Sequence, residues 1–293
     1  MSTPLAWLDG ALVPRADARV SIDDFAVRSG ATCFETMLAE GGRVFRLDRH
    51  LARLRGGLLE MGVSPPHAAD LGAAIDETLR ANGLTGAQVR LTVTAGRGGS
   101  PDLAAAAVPS VFVTTDPANM TTPQPLRLRV VSVRIDERRP LRAAKVAQFL
   151  PYLLARAEAR AAGADDGLLL NHAGTVCEAA TANVFAVIDG RLATPARDDG
   201  PVPGVTRDAV LECAAVLGID ADERTIPLVE LGPASEMFVT TSLAGPRAVT
   251  AVAAVDAEDG RSWRAPAAPG PLTTRLAEAY AALVARECAA PSV

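Results

Sequence analysis

Two Asp-Gly dipeptides, each set between two short apolar runs, constrain the fold more than any other feature of this sequence. Asp9-Gly10 follows the run Leu5 to Leu8, and Asp189-Gly190 follows the run Val184 to Ile188. Asp-Gly favours a two-residue hairpin turn, because both of its residues tolerate a positive φ. The sequence therefore predicts antiparallel strand pairs in both halves of the chain.

Segments with helical spacing lie between and after these hairpins. Leu51, Leu54 and Leu58 recur at helical intervals behind Asp48, which is a candidate N-cap. The stretch from Leu71 to Leu79 repeats this apolar spacing. Strands and helices of this kind together predict an α+β fold.

A linker is predicted near the middle of the chain. The stretch Asp116 to Pro125 contains three prolines and has no apolar periodicity, which is typical of a connection between domains. We therefore expect a small α/β domain over residues 1–117, a linker over 118–124 and a larger domain over 125–293.

Charge and cysteine content narrow the class of partner. The 29 Lys and Arg residues are offset by 34 Asp and Glu residues, without a block of like charge, so a nucleic-acid or membrane surface is not expected. The four cysteines form no C-x-x-C pair, which fits reduced thiols better than a disulfide framework or a metal site. We expect a cytoplasmic protein that binds a small molecule and no metal.

Lys145 is the only lysine in the chain. A surface cation can be arginine instead, but a guanidinium stays protonated and cannot form a Schiff base as a lysine amine can. The surroundings of Lys145 therefore decide whether it has a chemical role or survives by chance.

Three other features could bind a phosphorylated ring. Gly204 lets the backbone come close to a ligand, and the amides of Val205 and Thr206 would open a helix, where the dipole favours an anion. Thr240 to Ser242 end a predicted strand in three hydroxyl groups, and Glu178 is a carboxylate among small residues. Together with the lysine and an arginine, these groups are those that pyridoxal 5'-phosphate requires.

The sequence resembles the fold-type IV pyridoxal-phosphate enzymes, which include class IV aminotransferases and aminodeoxychorismate lyases. The similarity runs from about Trp7 to Val255. Its motifs occur in family order: Gly30 to Thr36, Phe45 to Leu47 with His50 to Leu54, Lys145, Gly174 to Glu178 with Asn183 to Phe185, Pro203 to Arg207, and Glu236 to Phe238. The resemblance implies a small α/β domain and a larger cofactor-binding domain with a β-barrel-like core and flanking helices, in a homodimer.

The resemblance also implies roles for single residues. Lys145 matches the lysine that forms the Schiff base and moves the substrate proton, and Glu178 matches the acid paired with the pyridine nitrogen. Residues that match the phosphate ligands of the family are Arg53, Val205, Thr206, Thr241 and Ser242.

At two places the sequence differs from known members of the family in residues that contact the substrate or the cofactor. Ser29 and Leu150 stand where branched-chain enzymes have tyrosines, and Thr94 to Gly98 does not match the Arg and His of D-amino-acid enzymes. Arg28 and Arg90 are therefore the candidates for binding the substrate α-carboxylate, with Ser29 in the pocket wall; surface or interface ion pairs are the alternative.

We expect a transaminase that acts on amino acids and 2-oxo acids, with D-amino acids placed ahead of branched-chain L-amino acids. Aminodeoxychorismate lyase is a further alternative, because it shares the cofactor residues and a leucine at the position of Leu150. The remaining alternative is a non-catalytic module of the same fold.

Overall fold

The computed structural model describes residues 3–98, 103, 108–118, 124–253, 263–264 and 268–289. The chain divides into two compact units. Unit 1 comprises Met1–Met120, Ala143–Gln148 and Val284–Val293, and unit 2 comprises Thr121–Arg142 and Phe149–Leu283. Each unit combines a sheet with helices, so the α+β expectation is confirmed.

Unit 1 is built on a six-stranded antiparallel sheet with the order β2-β1-β6-β5-β3-β4. Its strands are β1 (Leu5–Leu8), β2 (Ala11–Pro14), β3 (Thr32–Glu40), β4 (Arg43–Val44), β5 (Ala87–Thr94) and β6 (Val111–Pro117). Its helices are α1 (Phe25–Ser29), α2 (Leu47–Glu60) and α3 (Ala68–Ala81). Asp9 and Gly10 have φ values of 47° and 101° and form the predicted hairpin turn.

The helices of unit 1 bury the apolar stripes that the sequence predicts. Leu54 and Leu58 of α2 and Ile75 of α3 are buried, with α2 packed on β3 and α3 on β1 and β6. The predicted N-cap, Asp48, is wrong: the N-cap position is taken by Arg46, with φ 51° and no side-chain cap. The tight turn from β4 brings the chain into the helix two residues early, so Asp48 lies in the first turn, where the helix dipole favours its charge.

Unit 2 contains a mixed sheet of nine strands in the order β12-β11-β10-β13-β14-β7-β8-β9, with β15 paired to β14. The strands are β7 (Leu126–Ile135), β8 (Asp166–Asn171), β9 (Val176–Ala179), β10 (Asn183–Ile188), β11 (Arg191–Pro195), β12 (Ala221–Arg224), β13 (Glu236–Thr241), β14 (Gly245–Ala253) and β15 (Trp263–Arg264). The helices are α4 (Leu150–Ala161), α5 (Val205–Val216) and α6 (Pro271–Cys288), whose residues from Val284 onward group with unit 1.

The centre of this sheet is buried on both faces. Leu168 and Leu170 of β8 belong to one apolar cluster, whereas Leu169 faces a second cluster under α4. Strands buried on both faces are typical of parallel pairing, and β8 pairs parallel to β7.

The chain passes between the units more often than a single linker over 118–124 would allow. Ala143–Gln148 groups with unit 1, because the amides of Phe34 and Ala147 donate to the carbonyls of Lys145 and Thr32. Residues 119–123 of the expected linker lie outside the described residues. Within the described ranges, no helix is long and apolar enough to cross a membrane.

Candidate active site

Lys145 is placed by backbone pairing at the edge of β3. The Phe34 amide donates to the Lys145 carbonyl at 2.9 Å, and Cys33 forms an isolated antiparallel bridge with Val146. Opposed residues of an antiparallel pair share a face of the sheet, so the Lys145 and Phe34 side chains lie on the same face. Lys145 Nζ is 4.6 Å from the centroid of the Phe34 ring, whose π face attracts a cation.

Arg90 approaches the same ring from β5. It pairs with Thr36, two residues along β3 from Phe34, and its guanidinium carbon lies 3.9 Å from the ring centroid. Desolvation by burial lowers the pKa of Arg90 from its ordinary value. Within the part of unit 1 that the structure describes, Arg90 has no carboxylate partner. The structure thus brings Lys145 and Arg90 together in a positively charged region that suits an anionic substrate.

Arg28 and Ser29 lie at the end of α1, which Asp24 caps. Arg28 is exposed and donates from Nη1 to the Gly98 carbonyl at 2.7 Å, whereas Arg90 lies over the Phe34 ring. Ser29 Oγ donates to the Phe25 carbonyl within the helix. The structure therefore does not pair the two candidate carboxylate ligands, Arg28 and Arg90.

Arg53 forms a buried ionic cluster with two residues to which the sequence interpretation gives no role. Its Nε donates to Glu35 Oε1 at 2.8 Å and its Nη2 to Glu35 Oε2, while His50 Nδ1 donates to Oε2 at 2.7 Å. Burial would raise the pKa of Glu35, but the charge of Arg53 and hydrogen bonds from His50 and Arg53 outweigh burial and lower it. Glu35 and His50 both lie inside the family motifs named above. A carboxylate in an apolar strand, as at Glu35, could have indicated from the sequence that a buried cationic partner is needed.

The two faces of β3 separate these groups. Successive side chains of a strand point to opposite faces, so Glu35 faces α2 while Phe34 faces the other side. Arg53, on α2, therefore lies across β3 from the Lys145 side chain. A guanidinium has five N–H donors, of which Glu35 receives one from Nε and one from Nη2.

Glu178 is buried in unit 2, where its two carboxylate oxygens have different donors. Tyr152 Oη donates to Oε1 at 2.9 Å and the Val202 amide donates to Oε2 at 3.0 Å. The register of β9 against β8 places Glu178 opposite Leu169, on the face that α4 covers. Sequence reasoning missed Tyr152, because only the paired strands bring α4 against Glu178.

A second layer supports the Tyr152 phenol. Arg139 donates from Nη2 to Tyr152 Oη and from Nη1 to the Gly200 carbonyl, both at 3.2 Å. Phe149 stacks on the Tyr152 ring at 4.7 Å. Burial, followed by the charge of Glu178, raises the pKa of Tyr152 above its ordinary value, so this phenol stays protonated.

The N-terminus of α5 has the features of an anion site. Gly204 holds the N-cap position without a side-chain cap, and Val205 and Thr206 are buried in the first turn. A Cβ at Gly204 would lie 2.0 Å from Asn183 Oδ1, so any other residue would force the buried Asn183 side chain to move. The first amides of a helix have no partner in the helix itself and lie at the positive end of its dipole.

The hydroxyl residues at the end of β13 differ in their partners. Thr240 pairs with Asn183, and its Oγ1 is buried without a hydrogen-bond partner among the described residues. Thr241 Oγ1 accepts a hydrogen bond from the Ala244 amide, and Ser242 is half-buried. A buried hydroxyl without a protein partner is what a bound oxygen-rich group would satisfy. Thr240 is one of three hydroxyl residues at this strand end, of which the resemblance to the family assigns only Thr241 and Ser242 to the phosphate.

Each unit, taken by itself, holds groups whose chemistry suits part of pyridoxal 5'-phosphate. Unit 1 holds an amine at Lys145 that could form a Schiff base. Unit 2 holds a buried carboxylate at Glu178 that could pair with a ring nitrogen, and an anion site at the start of α5 that could bind a phosphate. Thr240 Oγ1, for which the described residues offer no partner, could form a hydrogen bond with a bound polar group.

Comparison with known proteins finds aminotransferases both by family model and by sequence identity. The family model for amino-transferase class IV matches residues 32–252. A Methanocaldococcus jannaschii protein, provisionally named a branched-chain-amino-acid aminotransferase, is 33% identical over 244 residues, covering 81% of this chain and 84% of that protein.

Two solved structures are similar over nearly their whole length. The branched-chain aminotransferase from Thermoproteus uzoniensis, solved with norvaline, has a TM-score of 0.86 at 30% identity and covers 98% of this chain and 96% of its own. The branched-chain amino acid aminotransferase from Escherichia coli has a TM-score of 0.86 at 27% identity, with the same coverage of 98% and 96%.

A third solved enzyme shows the cofactor itself. The T.th. branched-chain amino acid aminotransferase with pyridoxamine 5'-phosphate has a TM-score of 0.86 at 28% identity and covers 98% of this chain and 96% of its own.

Proposed function

This chain belongs to the class IV aminotransferases, and from that premise we propose that it transfers the amino group of branched-chain L-amino acids to a 2-oxo acid. The family uses pyridoxal 5'-phosphate, which, when bound, acts as the electron sink for the carbanion at the substrate α-carbon. The observation that carries the proposal is the similarity to branched-chain aminotransferases over nearly the whole chain. This similarity supports the branched-chain alternative over the D-amino-acid preference expected from the sequence.

The ligands of the similar structures support the same substrate class. One structure of the T.th. enzyme contains 4-methylvaleric acid, and another contains a phosphopyridoxyl adduct of L-glutamate. The first ligand has a branched aliphatic chain and the second has a carboxylate side chain. We infer for this chain a branched aliphatic amino acid as amino donor and 2-oxoglutarate as acceptor.

Lys145 is proposed to hold the cofactor covalently through Nζ and then to take the proton from the substrate α-carbon. Its position over the Phe34 ring beside Arg90 supports this role, because a neighbouring cation disfavours the protonated amine. Glu178 is proposed to keep the pyridine nitrogen protonated, with its carboxylate oriented by Tyr152 and Val202.

The cofactor phosphate is proposed to bind the α5 amides of Val205 and Thr206, with Thr241, Ser242 and Arg53. The uncapped start of α5 supports the first two ligands. Arg53 is included because it matches the phosphate arginine of the family, although its side chain approaches β3 from the face opposite to Lys145. The fork to Glu35 holds its guanidinium in one orientation.

Arg90 is proposed as a ligand of the substrate carboxylate, with Arg28 as a second ligand and Ser29 in the pocket wall. Arg90 is supported by its partly buried guanidinium without a carboxylate partner in the described part of unit 1. Arg28 is exposed, which supports a contribution to the site of a second copy of the chain. Ile22 and Val27, which precede Arg28 in the sequence, are 80% and 59% exposed, and we propose that a homodimer covers them.

A cytoplasmic location remains part of the proposal. All four cysteines are free and buried, as expected in a reducing compartment. Burial, with the nearby charge of Glu35, raises the pKa of Cys33 to about 12, so this thiol is unreactive.

A substrate screen on the purified, cofactor-loaded protein tests the proposed reaction. We expect L-leucine, L-valine or L-isoleucine to yield their 2-oxo acids with 2-oxoglutarate as acceptor, and faster than D-alanine or D-glutamate reacts. Faster turnover of any D-amino acid would reject the branched-chain L-substrate. Pyruvate release from aminodeoxychorismate without an acceptor would show a lyase instead.

A further inference from the structure

The hydrogen bond from Tyr152 to Glu178 has a fixed direction. A phenol has one proton to donate, and Arg139 Nη2 already donates to the Tyr152 oxygen at 3.2 Å. Because a guanidinium cannot accept a hydrogen bond, the phenol proton is directed to Glu178 Oε1 at 2.9 Å. The positive charge of Arg139 also polarises this phenol, which makes it a stronger donor.

The Tyr152 ring is held in place from several sides. Phe149 stacks on the ring with an interplanar angle of 15°, and the Arg139 guanidinium is anchored on the Gly200 carbonyl. Tyr152 is only 9% exposed, whereas Leu150, two residues earlier on α4, is 64% exposed. Leu150 stands where the branched-chain enzymes have a tyrosine, so the buried phenol of this chain occupies a different position and contacts Glu178.

Charged groups act on Cys177 and Tyr152, the two neighbours of Glu178. The Cys177 thiol is kept protonated by burial and by Glu178, and Glu137 and Asp199 add negative charge nearby. Arg139 places a positive charge beside the Tyr152 phenol. A buried carboxylate tends to take up a proton, whereas hydrogen bonds to its charged form keep it ionised.

We propose that Tyr152, supported by Arg139, is a positioning residue that keeps Glu178 ionised and oriented toward the ring nitrogen of the bound cofactor. The inference rests on the role proposed for Glu178. It assigns to α4 a function in cofactor binding that goes beyond packing on β7 and β8.

The test measures the affinity of Tyr152→Phe for pyridoxal 5'-phosphate by absorbance titration between pH 6 and 9. Loss of one hydrogen bond to a carboxylate should weaken binding roughly tenfold or more at pH 7. The loss should grow as the pH falls, because the less stabilised carboxylate then takes up a proton. Tyr280→Phe is the matched control, since it removes the same hydroxyl from the only other tyrosine of the chain.

Arg139→Gln should shift affinity in the same direction by a smaller factor. The double variant should be non-additive, because Arg139 acts through the phenol. If Tyr152→Phe does not fold, the cofactor affinity of Arg139→Gln and its pH dependence test whether the Tyr152 phenol positions Glu178.

Equal affinity and equal pH dependence in the Tyr152 and Tyr280 variants would overturn the inference. So would a lower melting temperature of the cofactor-free Tyr152→Phe protein with unchanged affinity, because that result indicates packing alone. A wild-type protein that binds no pyridoxal 5'-phosphate would instead reject the proposed function.

Discussion

Phe34 and Lys145 are joined twice, since the Phe34 amide donates to the Lys145 carbonyl and Lys145 Nζ lies over the Phe34 ring. The first contact positions the backbone of Lys145 and the second positions its amine. The sole lysine of the chain is therefore held by the sheet of unit 1 beside Arg90, which lies over the same ring.

Borohydride reduction of the cofactor-loaded protein should attach the cofactor to Lys145. Because the chain has no other lysine, peptide mapping needs to distinguish this site only from the α-amino group. Lys145→Ala should lose activity by at least about a thousandfold, as expected for loss of both the covalent link and the proton carrier. An unmodified Lys145 in the reduced protein would contradict the assignment.

Glu178→Gln should bind the cofactor more weakly than wild type and, when loaded with excess cofactor, should be slower to remove the substrate α-proton. A neutral amide cannot keep the pyridine nitrogen protonated, and loss of such a charge partner costs about a hundredfold or more in rate. Stopped-flow measurement of the half-reaction checks this rate. Glu158→Gln, a change on α4 at a carboxylate bonded to Ser132, serves as the control. A wild-type rate in Glu178→Gln would indicate that another group keeps the pyridine nitrogen protonated.

Arg90→Ala should weaken saturation by amino acids and 2-oxo acids alike. Loss of a charge-assisted hydrogen bond to the carboxylate is worth about 1.5 to 3 kcal/mol, or roughly ten- to a hundredfold in kcat/KM. The turnover of 1-phenylethylamine, which lacks a carboxylate, should change little. Arg28→Ala should behave similarly if a second copy supplies this residue, and Arg15→Ala, at the exposed ion pair with Asp116, is the control. Equal losses for acid and amine would indicate that Arg90 supports the fold.

Glu35→Gln should destabilise unit 1, because it leaves Arg53 without its buried carboxylate partner. Breaking a buried ion pair costs about 3 to 5 kcal/mol, which lowers Tm by several degrees. The pKa of Glu35 is lowered in the folded state, so its contribution is complete above the ordinary value of 4.5 and is lost as the pH falls through the folded pKa. Thermal unfolding of both proteins from pH 7 to pH 3 should therefore show a smaller difference at the acid end. A pH-independent difference would contradict the ionic role.

The protein should elute as a dimer in size-exclusion chromatography with light scattering. Ile22→Asp should shift it toward the monomer, because the substitution would place a charge in the proposed interface. Val216→Asp is the matched control, since Val216 is 87% exposed on α5. A wild-type mass of one chain would reject the homodimer.

Local signals in the sequence predicted the hairpins and the amphipathic helices well, whereas the role of Lys145 stays a prediction. The Asp9-Gly10 turn and the buried face of α2 require only nearby residues, so dipeptide chemistry and periodicity suffice. Tyr152, by contrast, meets Glu178 across 26 positions of sequence, and no spacing rule describes such a pair. The same applies to Glu35, whose role depends on α2 packing against β3.

The pairing of Phe34 has a consequence for how this enzyme can vary in evolution. Phe34 is bonded to the Lys145 segment on one edge of β3, and the opposite edge runs in register with the strand that carries Arg90. Substitutions along β3 leave this ladder intact, whereas a single inserted or deleted residue would turn Phe34 or Arg90 to the other face. We therefore expect relatives that keep this chemistry to vary in the residue types along β3 and β5 but not in the lengths of these strands.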